Sequence, residues 1–338
     1  MKNAYLILSD LHFAWKKEVR LDYTREIMYI FEQLDRIASC NESEGYTNIL
    51  IILGDFFDRG FSDSNDAMTA LTFTRTFLNR FKNVYAVVGN HELTYYKNNP
   101  FWFLISEIQD EELCKQNSLK QPKGLEANIK VVDRLIDGNV VFSFNHFGSR
   151  LKLPLLDKPI NIGLFHQNIA SKEIVGIYGK YLDIDNCSEL VGYDYLFLGH
   201  IHSNEYYGKY QLDSGGIAYY LASLGRPNVL EVDDRYLERN IPVIKINSGE
   251  LFCIEDNKFN LLSRSESVFE DIVQLNKKTR EEVKKRQNIF SSEIYGTSLY
   301  NLAETNAKLA GVDGFLNFFQ KSPDDILNEY NLFLNEDI

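Results

Sequence analysis

Five times along this chain an apolar, β-rich run ends in a short cluster of polar side chains, and five of the six histidines lie inside those clusters. In order they are Ser9-Asp10-Leu11-His12, Gly54-Asp55-Phe56-Phe57-Asp58-Arg59-Gly60, Gly89-Asn90-His91-Glu92, His166-Gln167-Asn168 and Gly199-His200-Ile201-His202. Between the first three runs lie helical stretches. Ile27, Ile30, Phe31, Leu34 and Ile37 recur at helix-like spacing from about Tyr23 to Ala38, and a second stretch runs from about Asp63 to Phe81. Strand, helix, strand, helix, strand with polar groups at the strand ends is the α/β pattern, and sites in such sheets lie at those ends.

The strands expected on this basis are Tyr5 to Leu8, Asn48 to Leu53, Val84 to Val88, Val140 to Phe144, Ile160 to Phe165 and Tyr195 to Leu198. Residues from about Asn98 to Asp137 read as less regular, with a short helix at Pro100 to Leu104 and an exposed loop from Gln116 to Asn128. Short strands from Ala218 to Phe259, including Val243 to Ile246 and Leu251 to Ile254, are expected to complete a second sheet. Beyond about Asn260 the pattern turns helical. The expected division is therefore a catalytic domain over 1–260 and a helical module over 261–338.

The donors suit a pair of cations. Asp10 and His12, two apart at a strand end, can reach one ion, and Asp55 on the neighbouring strand can bridge two. Asn90, His166 and His200 complete a second set, while His202 swings back to the first. One site is then Asp10, His12, Asp55 and His202, and the other Asp55, Asn90, His166 and His200. No thiolate takes part, so Mn²⁺ is the expected ion, with Fe²⁺ or Zn²⁺ suited as well. Such a pair activates a bridging water and clamps the oxygens of an in-line displacement. His91 projects toward substrate, as a general acid for the leaving alkoxide or a donor to a phosphate oxygen; Asp58 would accept its other ring proton, and Arg59 would grip a phosphate oxygen. His146, alone in Phe144-Asn145-His146-Phe147, reads as a structural residue.

Composition narrows the partners. The formal net charge of −12 over 338 residues opposes nucleic-acid binding by bulk electrostatics. A nuclease of this charge needs local positive charge from metals, a few cations or a partner subunit. Lys277, Lys278, Arg280, Lys284, Lys285 and Arg286 alternate with Glu281 and Glu282 and read as a solvated helix face. No apolar run approaches the roughly 20 residues of a membrane span. The N-terminus enters a strand without a signal-peptide pattern, and Cys40, Cys114, Cys187 and Cys253 form no CxxC pair. A cytoplasmic protein with reduced thiols is the expectation.

The five clusters together resemble the calcineurin-like metallophosphoesterase superfamily over about Leu6 to Ser203. The resemblance implies a two-sheet β sandwich flanked by helices, an α/β (four-layer α+β) fold, with a dinuclear site at the strand ends. Asp10, His12, Asp55, Asn90, His166, His200 and His202 fall on its metal-ligand positions and His91 on its catalytic histidine. Phe165-His166-Gln167-Asn168, the Gly199 to His202 cluster and Ala222-Ser223-Leu224-Gly225-Arg226-Pro227 with Glu231 look like the SbcD/Mre-type double-strand-break repair nucleases, including phage recombination subunits. That likeness implies DNA as substrate, an SMC-like coiled-coil ATPase docked on the helical tail, and a homodimer. Asp58-Arg59-Gly60 with His91-Glu92 resembles protein Ser/Thr phosphatases instead. A phosphatase or a small-molecule or nucleotide phosphoesterase is the alternative.

Overall fold

The structure is a computed structural model, and it describes residues 1–13, 23–58, 64–94, 99–117, 119, 129–170, 182–184, 186–202, 207–225 and 234–262. Its first strand, β1 (Lys2–Leu8), is buried on both faces. Ala4, Leu6 and Leu8 point to one side and Tyr5 and Ile7 to the other, the two-residue period of a strand. A strand that must bury both faces reads as a continuous apolar run, which is why these strands are visible in the sequence.

Helix α1 (Tyr23–Ser43) leads to β2 (Thr47–Leu53), and α2 (Ser64–Leu78) leads to β3 (Asn83–Val87). The short α3 (Asn90–Thr94) and a 3-10 turn (Pro100–Leu104) precede β4 (Ile105–Ile108), α4 (Glu111–Asn117) and β5 (Ile129–Val131). Then come β6 (Arg134–Asp137), β7 (Val140–Asn145), β8 (Ile160–Phe165), the two-residue β9 (Ile169–Ala170) and β10 (Leu182–Asp183), and β11 (Tyr195–Leu198). Among the described residues the last four strands are β12 (Gly208–Gln211), β13 (Ile217–Tyr220), β14 (Glu238–Asn247) and β15 (Glu250–Asn260).

These strands build two main sheets, of order β15-β14-β1-β2-β3-β5-β4 and β12-β13-β11-β8-β7-β6. β1, β2 and β3 run parallel, as do β7, β8, β11 and β13. The polar clusters after β1, β2, β3, β8 and β11 therefore emerge at strand C-termini. Between the sheets lies one apolar layer that includes Tyr5, Ile7, Ile51, Leu53, Phe142, Phe144, Leu164, Phe197 and Ile244. A second layer packs α1 and α2 on the outer face of the first sheet, where Phe31 stacks on Phe77 with ring centroids 3.9 Å apart. A third covers the outer face of the second sheet with Phe165, Leu196, Leu198 and Ile201. The architecture is the α/β sandwich of two mixed sheets flanked by helices that the sequence implies.

Two details differ from the sequence reading. The β14–β15 hairpin joins the first sheet, with β14 antiparallel to β1, rather than completing the second. Its inward residues Ile244 and Ile246 share the layer between the sheets with Tyr5 and Ile7, so the apolar pattern alone fits either edge. The stretch expected to be irregular holds β4 and β5, which extend the parallel part of the first sheet, and β6, which pairs antiparallel with β7 in the second. All three are too short for periodicity to reveal. The helical module expected over 261–338 lies outside the described residues apart from Leu261 and Leu262, as does most of the loop expected over 116–128.

Candidate metal centre

The turns after β1 and β2 run side by side. Asp10 N–H donates to Gly54 O (3.3 Å), His12 N–H to Asp55 O (2.8 Å) and Phe13 N–H to Phe56 O (2.8 Å). This lattice sets Asp10 and His12 beside Asp55. Asp10, His12, Asp55 and His200 all have left-handed backbone, with φ of 50°, 45°, 47° and 81°. For residues with a Cβ that conformation costs on the order of 1 kcal/mol each, so the folded chain spends stability to turn these side chains toward one another. Ser248 is the other non-glycine residue with positive φ among those described, and it sits in the β14–β15 turn.

Two clusters share Asp55, and a third joins His12, Asp58 and His91. Asp10, His12, Asp55 and His202 bring four ligand atoms within 4.8 Å of one another, and Asp55, His166 and His200 form an adjoining set. Asn90 joins the second, its Oδ1 lying 3.0 Å from His166 Nε2. Asp55 Oδ2 stands between the clusters, 3.8 Å from His12 Nε2 and 3.3 Å from His166 Nε2. His12 Nε2 is 2.9 Å from His202 Nε2, which is itself 3.1 Å from Asp10 Oδ1. Donors bound at about 2.1 Å to one ion stand about 3.0–3.5 Å apart, and the separations here, from 2.9 to 3.9 Å for the pairs around His12, bracket that range. The donor set fits two divalent cations sharing Asp55, and all seven sequence-derived ligand candidates converge on it.

The electrostatics follow from burial and charge. Burial holds His12 down to about 3, with His202 adding to the effect. Burial and the His166 cation hold His200 down to about 4. Both rings are therefore neutral at neutral pH, with a lone pair to give. Burial would lower His166 too, but Asp55 and Asp10 outweigh it and raise the ring to about 10. Burial pushes Asp55 up, yet His166 and His12 hold it at about 2, and similar neighbours keep Asp10 far below the ordinary carboxylate range.

Surrounding groups orient the donors. His166 Nδ1–H donates to Leu53 O (2.6 Å), which leaves Nε2 facing Asn90 and Asp55. His200 Nε2–H donates to Asn168 Oδ1 (2.7 Å), leaving Nδ1 as that ring's lone pair. Buried Glu92 accepts N–H bonds from Asp55, Phe56 and Gly89, each 2.9 Å, and so ties the turn after β2 to the turn after β3. Gly89 is required there, because a Cβ would fall on Asp55 Oδ1 and lie 2.5 Å from Asp55 N. Ser9 Oγ–H donates to Asp10 Oδ2, which also accepts from His200 N–H (2.9 Å). Glu92, Asn168 and Ser9 stand in the quoted clusters, but only the contacts of Glu92 with the β2 turn and of Asn168 with His200 reveal what those two do.

His91 lies at the edge of the cradle, with its side chain about a quarter exposed (26%). Its N–H donates to Asp55 Oδ1 (3.0 Å). The ring Nδ1 bonds the main-chain carbonyl of Asp58, while the Asp58 carboxylate is 3.8 Å away. The carbonyl, not the expected carboxylate, is the acceptor in contact with the ring. The carboxylate lies between two rings instead, 3.7 Å from His12 Nδ1. Arg59 lies outside the described residues.

A family model for calcineurin-like phosphoesterases matches residues 4–204, more than half of the chain and all five clusters. The protein belongs to that family, and it is a metallophosphoesterase. Among solved structures it is similar to the 5′-nucleotidase precursor of Thermus thermophilus, at 11% identity and a TM-score of 0.38 over 88% of this chain and 61% of that one. It is also similar to the NAD nucleotidase of Haemophilus influenzae, at 11% identity and a TM-score of 0.38 over 85% and 55%. The chain thus spans less than two thirds of the length of either, and likeness this distant bears on neither substrate nor partner. No curated protein matches the chain.

Proposed function

We propose that the chain is the nuclease subunit of a recombination or repair complex and hydrolyses DNA phosphodiesters. The observation that carries this reading is the seat of residues 222–225, the described part of the segment Ala222 to Pro227 that, with Glu231, resembles the strand-end loop of the SbcD/Mre-type nucleases. Ser223 Oγ–H and Gly225 N–H both donate to Asp10 O, at 2.8 and 3.0 Å, so that loop lies against a ligand of the first cation.

In this reading Asp10, His12, Asp55 and His202 hold one cation, and Asp55, Asn90, His166 and His200 the other. When bound, the pair supplies a water of lowered pKa and neutralises charge on the phosphoryl oxygens. The residues of the chain do the rest. Asp55 keeps the two sets at one spacing, and the Leu53 and Asn168 oxygens fix which imidazole nitrogen each ring presents. With Nδ1 turned to the Asp58 carbonyl, His91 uses Nε2 to carry a proton to the oxygen that leaves phosphorus. Mn²⁺ suits the donors. DNA, a coiled-coil ATPase docking at 261–338, a second copy of the chain and a reducing cytoplasmic setting belong to the same proposal, as does the division at residue 260.

A second reading, a nucleotide or other small-molecule phosphoesterase, is favoured by the net charge of −12, which repels a polyanion. Labelled single- and double-stranded DNA, 5′-nucleotides, a phosphopeptide and bis(4-nitrophenyl) phosphate, each with Mn²⁺, separate the two. Degraded DNA is the expected result. Cleavage of nucleotides or phosphopeptide with DNA untouched overturns the nuclease reading. His91→Ala is expected to keep two Mn²⁺ per chain and lose about 10²–10⁴ in turnover, whereas Asp55→Ala loses the metals too. Parental cleavage by His91→Ala would refute its assignment.

A further inference from the structure

His146 is the one histidine outside the clusters, and it is fully buried in the turn after β7. Its surroundings form a connected device. Val88 N–H donates to His146 Nδ1 (3.0 Å), and Phe147 N–H returns a bond to Val88 O (2.9 Å). Val88 is the last residue before Gly89-Asn90-His91, so both main-chain groups at the root of that turn are held from the second sheet. On the opposite side His146 Nε2 faces Asp110 Oδ2 at 3.4 Å. Asp110 is anchored in turn by Lys152 Nζ (2.7 Å) and Leu113 N–H (2.9 Å). With Nδ1 accepting, the ring proton sits on Nε2 toward the carboxylate.

The same turn is fastened to the end of β8. Gln167 Nε2–H donates to His146 O and to Ser149 O (3.3 Å), and Gly148 N–H donates to Gln167 Oε1 (3.3 Å). His166 N–H donates to Asn145 O (3.1 Å). The ring of Phe147, carried by this turn, lies 5.1 Å from that of His200 and 6.3 Å from that of His166, centroid to centroid.

We propose that His146 is a positioning residue, stapling the β3–α3 turn of one sheet to the β8 end of the other and so setting the gap between Asn90 and His166; the proposal rests on the two-cation reading above. The second set draws Asp55 and Asn90 from the first sheet and His166 and His200 from the second. Its spacing therefore depends on how the sheets are joined at this rim. The first set takes no ligand from the β3 turn and meets it through the shared Asp55, which Glu92 and His91 N–H hold independently of His146. Without the ring acceptor, the buried Val88 N–H loses its partner and the Asn90 turn its register.

The test is Mn²⁺ titration of ion-free protein by calorimetry, with the electron paramagnetic resonance signal of an exchange-coupled Mn²⁺ pair as a second readout. His146→Leu removes the acceptor, and His146→Asn restores an amide oxygen near the place of Nδ1. For His146→Leu the second Mn²⁺ is expected to bind about 10–100-fold more weakly, the coupled signal to fade, and the first Mn²⁺ to bind as in the parent. His146→Asn should recover most of the loss. If His146→Leu does not fold, Gln167→Leu tests the same staple from the β8 side with the same expectation. Parental binding of both ions by the folded variant, or equal weakening of both, overturns the staple. A parental chain that binds fewer than two Mn²⁺ overturns the two-cation reading itself, and the staple with it.

Discussion

In the ion-free chain His166 carries a proton at neutral pH, and a cation entering beside Asn90 must displace it. Asp55 Oδ2 at 3.3 Å and Asp10 Oδ1 at 4.0 Å raise this buried ring to about 10, against 6.5 for a free imidazole. The sign follows from which state holds the proton. A raised pKa gives the ion-free fold stability that is complete below about pH 6.5 and lost as pH rises through about 10. The cation competes with that proton, so alkali favours the ion. Each pH unit below about 10 costs about 1.4 kcal/mol of second-ion affinity, a factor of about ten. From pH 7 to pH 9 the second site should therefore tighten about 100-fold. His12, held near 3, has no proton to lose over that range. Nitrogen NMR of ¹⁵N-histidine-labelled, ion-free protein reads the cause directly, and Mn²⁺ titration at three pH values reads the effect. A His166 ring already neutral at pH 8, or a second-ion affinity flat with pH, would refute the charge arrangement described here.

Two further outcomes test the groups behind the ligands. Glu92→Gln leaves one acceptor oxygen and a new N–H₂ among three main-chain donors, and should lower stability by about 1–3 kcal/mol, read as a fall in Tm of the ion-free protein. An unchanged Tm would mean those three bonds do not matter to the fold. Gly89→Ala places a methyl group on the Asp55 carboxylate and should abolish tight Mn²⁺ binding while the far-ultraviolet circular dichroism stays parental. Retention of both ions would show that the two turns can separate without cost.

The ligands were legible because of two local regularities. A strand buried on both faces is written as an apolar run, as in Asn48-Ile49-Leu50-Ile51-Ile52-Leu53, and a metal needs donors of few types. Asp10, His12, Asp55, Asn90, His166, His200 and His202 are therefore readable as candidate donors, in order and in two sets, from the sequence. The same regularities do not reveal β4, β5 and β6, three or four residues long, and they do not decide which sheet β14 and β15 join.

What the tertiary structure alone decided is how those donors meet. Whether a strand pairs at one edge or the other is settled by partners far away in sequence, as when Lys2 to Leu6 pair with Val243 to Asn247. The left-handed turns at Asp10, His12, Asp55 and His200 belong to residue types that rarely adopt them, and bonds such as Asp10 N–H to Gly54 O and Gly225 N–H to Asp10 O hold two of those turns in place. His146 makes the same point from the other side. Its neighbours in sequence are apolar or neutral, and by sequence it reads as a structural residue. Only the meeting of two sheets placed Val88 against one ring nitrogen and Asp110 against the other. Side-chain chemistry is carried by each residue wherever it stands, whereas spacing and charge at a site come from segments that the chain brings together only when it folds.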